Sequence, residues 1–338
     1  MYRTRILIRL ILLQLVMALP ASASESTAPN KSDAIFVIRQ NDLRRDVGFL
    51  SDEICEGRSS TQTGAVKAAM WLELRYSSLG LVPFNGHYGW GFTAEGHVCH
   101  NVVGMIPTDR DYDDGKYVVI GAHFDNLGIL DGQLYPGADS NASGVAAMLG
   151  VADMFRHIRS SGQPLTKNII FVAFDAKQLS LAGSQAFFDS IENGLLKDPF
   201  SQKTIGRDDI FLMVNLDILG GTSSPVHTGR PDYMIMLGGD EVQTQLLRIT
   251  NYRQEVSLDL GYDYYGSEGF TNMFLNRVSD QKAFLEHGIK SVMFTSGITM
   301  DTNRVTDTPD RIDISVLKRR VCLICRWLEK ILLLDNFN

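Results

Sequence analysis

The chain has 338 residues, of which 44% are hydrophobic and 21% are charged, a composition typical of a globular protein. This length suits one large α/β domain or two small ones. The formal net charge is −7, and acidic and basic residues are mixed along the sequence without a basic stripe. Nucleic acid is therefore not an expected partner.

The N-terminus has the pattern of an export signal. Residues 1–9 carry three arginines, residues 10–19 form an apolar run too short to span a bilayer, and Ala21-Ser22-Ala23 resembles a cleavage site. We expect residues 1–23 to be a signal peptide, residues 24–338 to form a single domain, and the protein to be exported, either periplasmic or secreted. A retained membrane anchor is the alternative. The rest of the sequence contains no run long and apolar enough for a membrane span.

The hydrophobic pattern predicts strands and helices that alternate from residue 117 onwards. The predicted strands are residues 97–106, 117–122, 168–174, 210–216, 233–237 and 291–294. The predicted helices are residues 33–45, 61–80, 143–159, 183–193, 240–252 and 314–334. This alternation indicates a mostly parallel sheet with helices on both faces.

Two segments carry further expectations. In the helix predicted at residues 61–80, the apolar positions are Val66, Met70, Leu72 and Leu74. Residues 257–276 are rich in tyrosine, phenylalanine and glycine and are predicted to be irregular. The aromatic side chains of that segment either line a ligand pocket or pack in the core.

The four cysteines do not form a disulfide framework. Cys322 and Cys325 lie one turn apart on a predicted helix, where a disulfide would be strained, so buried thiols are expected. A disulfide between Cys55 and Cys99 is compatible with export, and the sequence does not decide it. The spacing of the four does not match a structural zinc site.

Polar side chains follow several of the predicted strands. His123 and Asp125 follow the strand at 117–122, Asp217 ends another, and Asp139 lies on the loop after the first. Because the carboxyl ends of parallel strands meet at one edge of a sheet, His123, Asp139 and Asp217 are plausible neighbours. One imidazole and two carboxylates are suitable zinc ligands, and Asp125 is placed to orient His123. The alternative is that each is an ordinary strand-end, cap or turn residue.

Ordered motifs from about residue 50 to the C-terminus give the sequence a family resemblance. The motifs are Glu56-Gly-Arg, Asn101-Val-Val-Gly, Gly121-Ala-His-Phe-Asp, Pro136-Gly-Ala-Asp-Ser-Asn-Ala-Ser-Gly, Phe171-Val-Ala-Phe, Asn215-Leu-Asp, Ser279-Asp and Asp307-Thr-Pro-Asp-Arg-Ile-Asp. They resemble those of the co-catalytic di-zinc aminopeptidases, zinc exopeptidases whose family also includes the glutaminyl cyclases. The resemblance implies a three-layer αβα sandwich with a mixed, largely parallel central sheet.

The same resemblance implies a metal site that is incomplete in this chain. His123, Asp139 and Asp217 stand at ligand positions of the family, with Asp139 as the bridging ligand. The family's Glu-Glu pair, a general base followed by a zinc ligand, is replaced by Lys177-Gln178. The family's late histidine ligand is replaced by Asn303. Gln178 and Asn303 offer only neutral amide oxygens, so zinc binding is expected to be weak or absent.

The substitutions lead to a hypothesis about charge. A cation, either Lys177 or Arg304, is expected to point into the vacated metal space and to neutralise Asp139 and Asp217, which would otherwise repel each other. The alternative is that Lys177 is solvated on its loop. Lys177 cannot act as a general base while it is charged.

The leading functional expectation is an exported zinc-aminopeptidase-like pseudoenzyme with lost or much reduced peptide hydrolysis and a retained peptide- or amine-binding cleft. Two alternatives stay open. One is an active aminopeptidase with a weakened or single-metal site, rescued by Asp301 or by water. The other is a scaffold or interaction protein whose cleft is incidental.

Overall fold

The computed structural model describes residues 33–109, 113–222, 230–253, 257–263 and 266–333. The predicted signal peptide lies outside these ranges. Residues Ala34–Asn338 form one compact unit. Within the described ranges, no helix has the length and apolar character required to cross a membrane.

Most of the strands join one nine-stranded sheet, and two form a small separate hairpin. In chain order the strands are β1 (Val82–Pro83), β2 (Gly89–Ala94), β3 (His97–Ile106), β4 (Tyr117–His123), β5 (Gly128–Leu130), β6 (Gln133–Tyr135), β7 (Asn168–Phe174), β8 (Ile210–Leu216), β9 (Tyr233–Leu237), β10 (Asp259–Gly261) and β11 (Ser291–Thr295). The hairpin consists of β5 and β6.

The large sheet is mixed, with parallel strands at its centre. Its order is β1-β3-β7-β4-β8-β11-β9-β10, with β2 also paired to β3. The pairs β7/β4, β4/β8 and β8/β11 are parallel, whereas β3/β7 and β11/β9 are antiparallel. The carboxyl ends of β7, β4, β8 and β11 therefore lie at one edge of the sheet, which is where open α/β sheets place their ligand sites.

Helices cover both faces of this sheet. They are α1 (Gln40–Leu50), α2 (Thr63–Ser78), α3 (Gly144–Ser160), α4 (Ala182–Glu192), α5 (Glu241–Arg253), α6 (Glu268–Arg277), α7 (Gln281–Leu285) and α8 (Ile314–Leu333). Along β4, Val118 and Ile120 pack in one core cluster with α3 and α8, while Tyr117 and Val119 pack in a second cluster with α4 and α7. This period of two is the strand geometry that fills both sides of a sheet. The predicted α/β sandwich is confirmed.

The helix predicted at residues 61–80 exists as α2, but its buried face differs from the expected one. Val66, Met70 and Leu74 are 52%, 63% and 69% exposed, and of the predicted apolar positions only Leu72 is buried. Alanines at positions 65, 68 and 69 form the core face together with Leu72 and Tyr76. Hydrophobicity alone favoured the larger side chains, whereas close packing of the helix selected the small ones.

Two other expectations are corrected or resolved. The segment at 257–276, predicted to be irregular, contains β10 and α6. Ser267 caps α6 by accepting the backbone N–H of Phe270, a start signal that the surrounding glycines obscured. All four cysteines are free and buried, which confirms buried thiols at Cys322 and Cys325 and decides against a disulfide between Cys55 and Cys99.

Candidate functional site

Three parallel strands bring their polar ends together at the carboxyl edge of the sheet. His123 is the last residue of β4, Asp217 directly follows β8, and Lys177 lies on the loop after β7. His123 and Asp217 are almost fully buried, whereas the Lys177 side chain is 14% exposed. The sequence predicted that these strand ends would meet, and the contacts show how they do so.

The Lys177 ammonium is the centre of the cluster. Its Nζ lies 3.0 Å from Asp217 Oδ2 and 2.8 Å from His123 Nε2. His123 Nε2 also lies 3.2 Å from Asp217 Oδ1. The contact between Nζ and Nε2 is a hydrogen bond only if one nitrogen keeps a free lone pair, so Lys177 and His123 cannot both be cationic in this geometry.

The charges of this cluster stabilise one another. Burial by itself would raise the pKa of Asp217, but Lys177 and His123 together hold it well below its usual range. For His123, burial and Lys177 lower the pKa, and the opposing effects of Asp217 and of hydrogen bonds to Asp125 and Asp217 are stronger, so that it is raised. Asp217 is therefore a carboxylate throughout the physiological range, and it is paired with a cation.

Asp125 supports the cluster in two ways. Its backbone carbonyl lies 3.0 Å from His123 Nδ1, closer than its carboxylate Oδ1 at 3.5 Å. Its two carboxylate oxygens accept the backbone N–H groups of Lys177 and Gln178, each at 3.0 Å. Asp125 thus contacts His123 mainly through its backbone carbonyl, and its carboxylate fixes the loop that carries Lys177. Ala176, in the left-handed region at φ 57°, makes the turn into this loop.

A second group of polar residues, on β8 and just before α7, contacts Asp217. The Ser279 hydroxyl donates to Asp217 Oδ2 at 2.6 Å, and Ser279 Oγ in turn accepts from Asn215 Nδ2 at 2.8 Å. Asp280 is fully buried beside them, and neither of its oxygens has a hydrogen-bond partner among the described residues. Burial raises the pKa of Asp280 to about 6, although His123 and Lys177 act in the opposite direction.

The hydrogen bonds of Asp139 are made with residues outside this cluster. Its Oδ1 accepts the N–H of Gly220 at 2.7 Å and the Ser143 hydroxyl at 2.9 Å, while its buried Oδ2 has no partner in the described part of the chain. Burial, followed by the nearby Asp307 carboxylate, raises the pKa of Asp139 to about 6. The expected neutralising cation therefore pairs with Asp217 through Lys177, and the expectation that it would also neutralise Asp139 is wrong.

Two buried residues that the sequence did not single out shape the loop around Asp139. Asp307 accepts the backbone N–H groups of Asp139 and Ser140 at 2.7 and 3.0 Å. Arg58, fully buried, donates to the carbonyls of Phe124, Pro136 and Gly137. Both lie in quoted motifs, so the signal was present, but their roles depend on contacts between residues more than 60 positions apart.

The remaining predicted site residues line an open cleft above the cluster. Gln178 and Asn303 both contribute to its wall, together with Lys177 and Asp217. Arg304, the alternative cation, is exposed and does not line the cleft. Asp301, the proposed rescuing ligand, instead accepts the Thr306 hydroxyl at 2.6 Å.

The family scan identifies the chain. The sequence model of the family described as peptidase family M28 matches residues 101–328, which is more than half of the sequence. The chain belongs to peptidase family M28. The resemblance to zinc aminopeptidases is thereby confirmed, and M28 members include zinc-dependent peptidases.

Individual M28 relatives are distant. The aminopeptidase YwaD of Bacillus subtilis is 31% identical over 121 residues, covering 36% of this chain and 22% of YwaD. The BOS complex subunit ncln of Danio rerio is 22% identical over 237 residues, covering 65% of this chain and 40% of ncln. The chain therefore spans less than half the length of either relative. The LapA aminopeptidase of Legionella pneumophila superposes with a TM-score of 0.69 at 17% identity, covering 90% of this chain and 75% of LapA, which shows the shared fold.

The donor set of this M28 member does not fit zinc. His123 Nε2 and Asp217 Oδ2, two atoms that would bind a metal, are both in contact with the Lys177 ammonium, and Asp217 Oδ1 contacts His123 Nε2. Asp139 shares no hydrogen bond or ion pair with either of them, and the described residues contain no group of three or more histidine, cysteine or acidic side chains arranged to hold a metal. A cation cannot share the position of a metal ion without strong repulsion.

Proposed function

We propose that this M28-family protein is an exported pseudoenzyme that binds peptides in its cleft without hydrolysing them. One observation carries the proposal. Lys177 stands where the family has its general base, and its ammonium lies 3.0 Å from Asp217 and 2.8 Å from His123. The internal cation thus replaces both the base and the metal charge of the ancestral site.

The loss of hydrolysis follows from the chemistry that the family reaction requires. Peptide hydrolysis of this kind needs an activated water and a carboxylate that accepts its proton. Lys177, held as an ammonium beside Asp217, donates protons and cannot accept one. A general base contributes about 10²–10⁴-fold to the rate, and the lost metal charge adds a larger factor.

Export is supported by the sequence of the first 23 residues. Three arginines, a short apolar run and Ala21-Ser22-Ala23 are the three parts of a secretory signal in the correct order. We propose a periplasmic or secreted mature protein.

A second candidate function is a scaffold or interaction protein. It is favoured by one specific finding, the similarity to ncln, whose name describes a subunit of a complex. In this case the cleft would not need a ligand. Binding of a peptide at the cleft, abolished by substitutions in its wall, separates the peptide-binding proposal from the scaffold.

The proposal is tested by restoring the family residues. The variant Lys177→Glu/Gln178→Glu/Asn303→His should gain stoichiometric zinc by elemental analysis, whereas the unaltered chain, equilibrated with the same zinc buffer, should contain little. Lys177→Met is the matched control, because it removes the cation without adding a ligand. Stoichiometric zinc in the unaltered chain, with aminopeptidase activity that is lost with a chelator and in Asp139→Ala, would overturn the proposal and favour the active-enzyme alternative.

A further inference from the structure

The cleft above Lys177 has a charge opposite to the one that an amine would require. We propose that it binds its ligand through a carboxylate, which contacts Arg277, with an apolar group against the apolar part of the wall. This inference rests on the proposed function, because it requires Lys177 and not a metal beside Asp217. It names the chemical class of the ligand, an anionic peptide end or an N-blocked amino acid.

The cleft is large enough for such a ligand. Its volume is about 470 Å³, within the range of small-molecule sites. Among the residues that the structure describes, the charged ones in its wall are Lys177, Asp217 and Arg277, and the neutral polar ones include Gln178 and Asn303. The apolar part is formed by Leu181, Ile218, Phe274, Val278 and Ile298.

The charge balance of the wall is decided by Lys177. Its ammonium pairs with Asp217, and the Ser279 hydroxyl also donates to the same carboxylate oxygen. Asp217 therefore has no uncompensated charge for an incoming amine. The positive charge that remains belongs to Arg277, so the described residues of the wall carry a net charge of one positive unit.

Arg277 is available for a ligand. It is the last residue of α6, it is exposed, and it has no ion pair or hydrogen bond with any residue that the structure describes. A guanidinium presents two parallel N–H donors that match a carboxylate, and such pairs are among the stronger hydrogen bonds. A cation at the C-terminus of a helix also stabilises the helix, which is the ordinary structural explanation that the experiment must exclude.

Two side-chain amides add donors to the cleft that Arg277 lines. The side chains of Gln178 and Asn303 form no hydrogen bond within the described ranges, and both reach the cleft. Each amide NH₂ can donate to an anionic oxygen. The substitutions that removed two metal ligands have thus left neutral donors and a net positive charge in the same cleft.

The apolar wall gives the ligand a second point of attachment. Phe274 is 5% exposed and belongs to a small core cluster of β9, β11 and α6, against which Ile298 packs. The cluster therefore presents a fixed surface to the cleft. The aromatic side chains of this segment were expected either to line a pocket or to pack in the core, and Phe274 does both.

The test compares two probes with the same ring and opposite charge, N-acetyl-phenylalanine and phenylalanine amide. Dissociation constants are measured by ligand-observed NMR titration of the mature chain. N-acetyl-phenylalanine should bind more tightly than the amide, and Arg277→Gln should weaken its binding about tenfold, the effect of one charge-assisted hydrogen bond. Arg277→Lys should show a smaller loss. Arg207→Gln is the matched control, because Arg207 precedes β8 at the opposite edge of the sheet.

Each outcome is decisive. Tighter binding of the amide, equal binding to Arg277→Gln and the unaltered chain, or binding of neither probe would overturn the inference. Failure of the proposed function gives a different result, namely zinc-dependent hydrolysis of peptide substrates by the unaltered chain. A circular dichroism spectrum and melting temperature of Arg277→Gln that match the unaltered chain exclude loss of α6 as the cause of weaker binding.

Discussion

Replacing Lys177 by methionine should leave the Asp217 carboxylate buried without its cation. Methionine keeps most of the aliphatic volume of lysine, so the change removes mainly the ammonium. The Lys177 and Asp217 side chains are 14% and 3% exposed, which places the pair largely out of solvent. Breaking a buried ion pair by removing one partner costs about 3–5 kcal/mol, and we expect about 3 kcal/mol for this partly exposed lysine.

The cost should depend on pH because His123 can take over as the partner of Asp217. Lys177 lowers the pKa of His123, so its removal raises that pKa further. A histidine whose folded pKa is raised contributes stability that is fully present below its unfolded pKa of about 6.5 and is lost as the pH rises through the folded value. The destabilisation by Lys177→Met should therefore be about 3 kcal/mol at about pH 9 and about 1 kcal/mol at about pH 6.

Urea unfolding at the two pH values measures both effects. Lys203→Met is the matched control: Lys203 is 65% exposed and lies 3.4 Å from Asp209, so its loss should change the free energy of unfolding by less than about 0.5 kcal/mol. The double variant Lys177→Met/Asp217→Asn should cost less than the sum of its parts, because it leaves no unpaired buried charge. A cost for Lys177→Met below about 1 kcal/mol at both pH values, or additive single variants, would refute the reasoning.

Three further predictions concern the buried polar groups. Asp280→Asn should raise the free energy of unfolding by about 2 kcal/mol at about pH 8 and change it little at about pH 4. The reason is that burial raises the pKa of Asp280 to about 6, so the unaltered protein becomes less stable as the pH rises through that range and the carboxyl ionises. A pH series of urea unfolding measures this, and equal effects at both ends would contradict it. Asp307→Ala should destabilise by about 3 kcal/mol in the same assay, because two buried N–H groups lose their acceptor, and a near-neutral change would show that water replaces it. Burial raises the pKa of the thiols at Cys55, Cys99 and Cys322 to about 11, and all four free thiols are buried. Ellman's reagent should therefore react with none of the four in the native protein and with all four after denaturation. Rapid reaction of the native protein would contradict their burial.

The strands could be predicted from the sequence more accurately than the faces of the helices. Four strands, at 97–106, 168–174, 210–216 and 233–237, have the predicted bounds, because the parts of a strand covered on both faces form continuous apolar runs. In α2 the sequence predicted the helix but not its buried face. The two faces differ in side-chain size and not only in hydrophobicity, and size is selected by the neighbouring element.

The candidate site could be predicted in its residues but not in its contacts. The order of the strands brings His123, Lys177 and Asp217 to one edge, and topology rules suffice for that. The contacts of Asp139 outside the cluster are made by Ser143, four residues along the chain, and by Gly220 and Asp307, which reach it from distant parts of the chain. Such contacts have no local sequence signal, so the pairing of Lys177 with one carboxylate and not with both required the structure.

We infer that an ammonium, and not a metal ion, lies between His123 and Asp217. Diffraction data from crystals equilibrated with zinc, collected above and below the zinc absorption edge, test it directly. We expect no anomalous peak between His123 Nε2 and Asp217, and we expect Lys177 Nζ within hydrogen-bond distance of both. A strong anomalous peak at that position, with Lys177 displaced from Asp217, would contradict it.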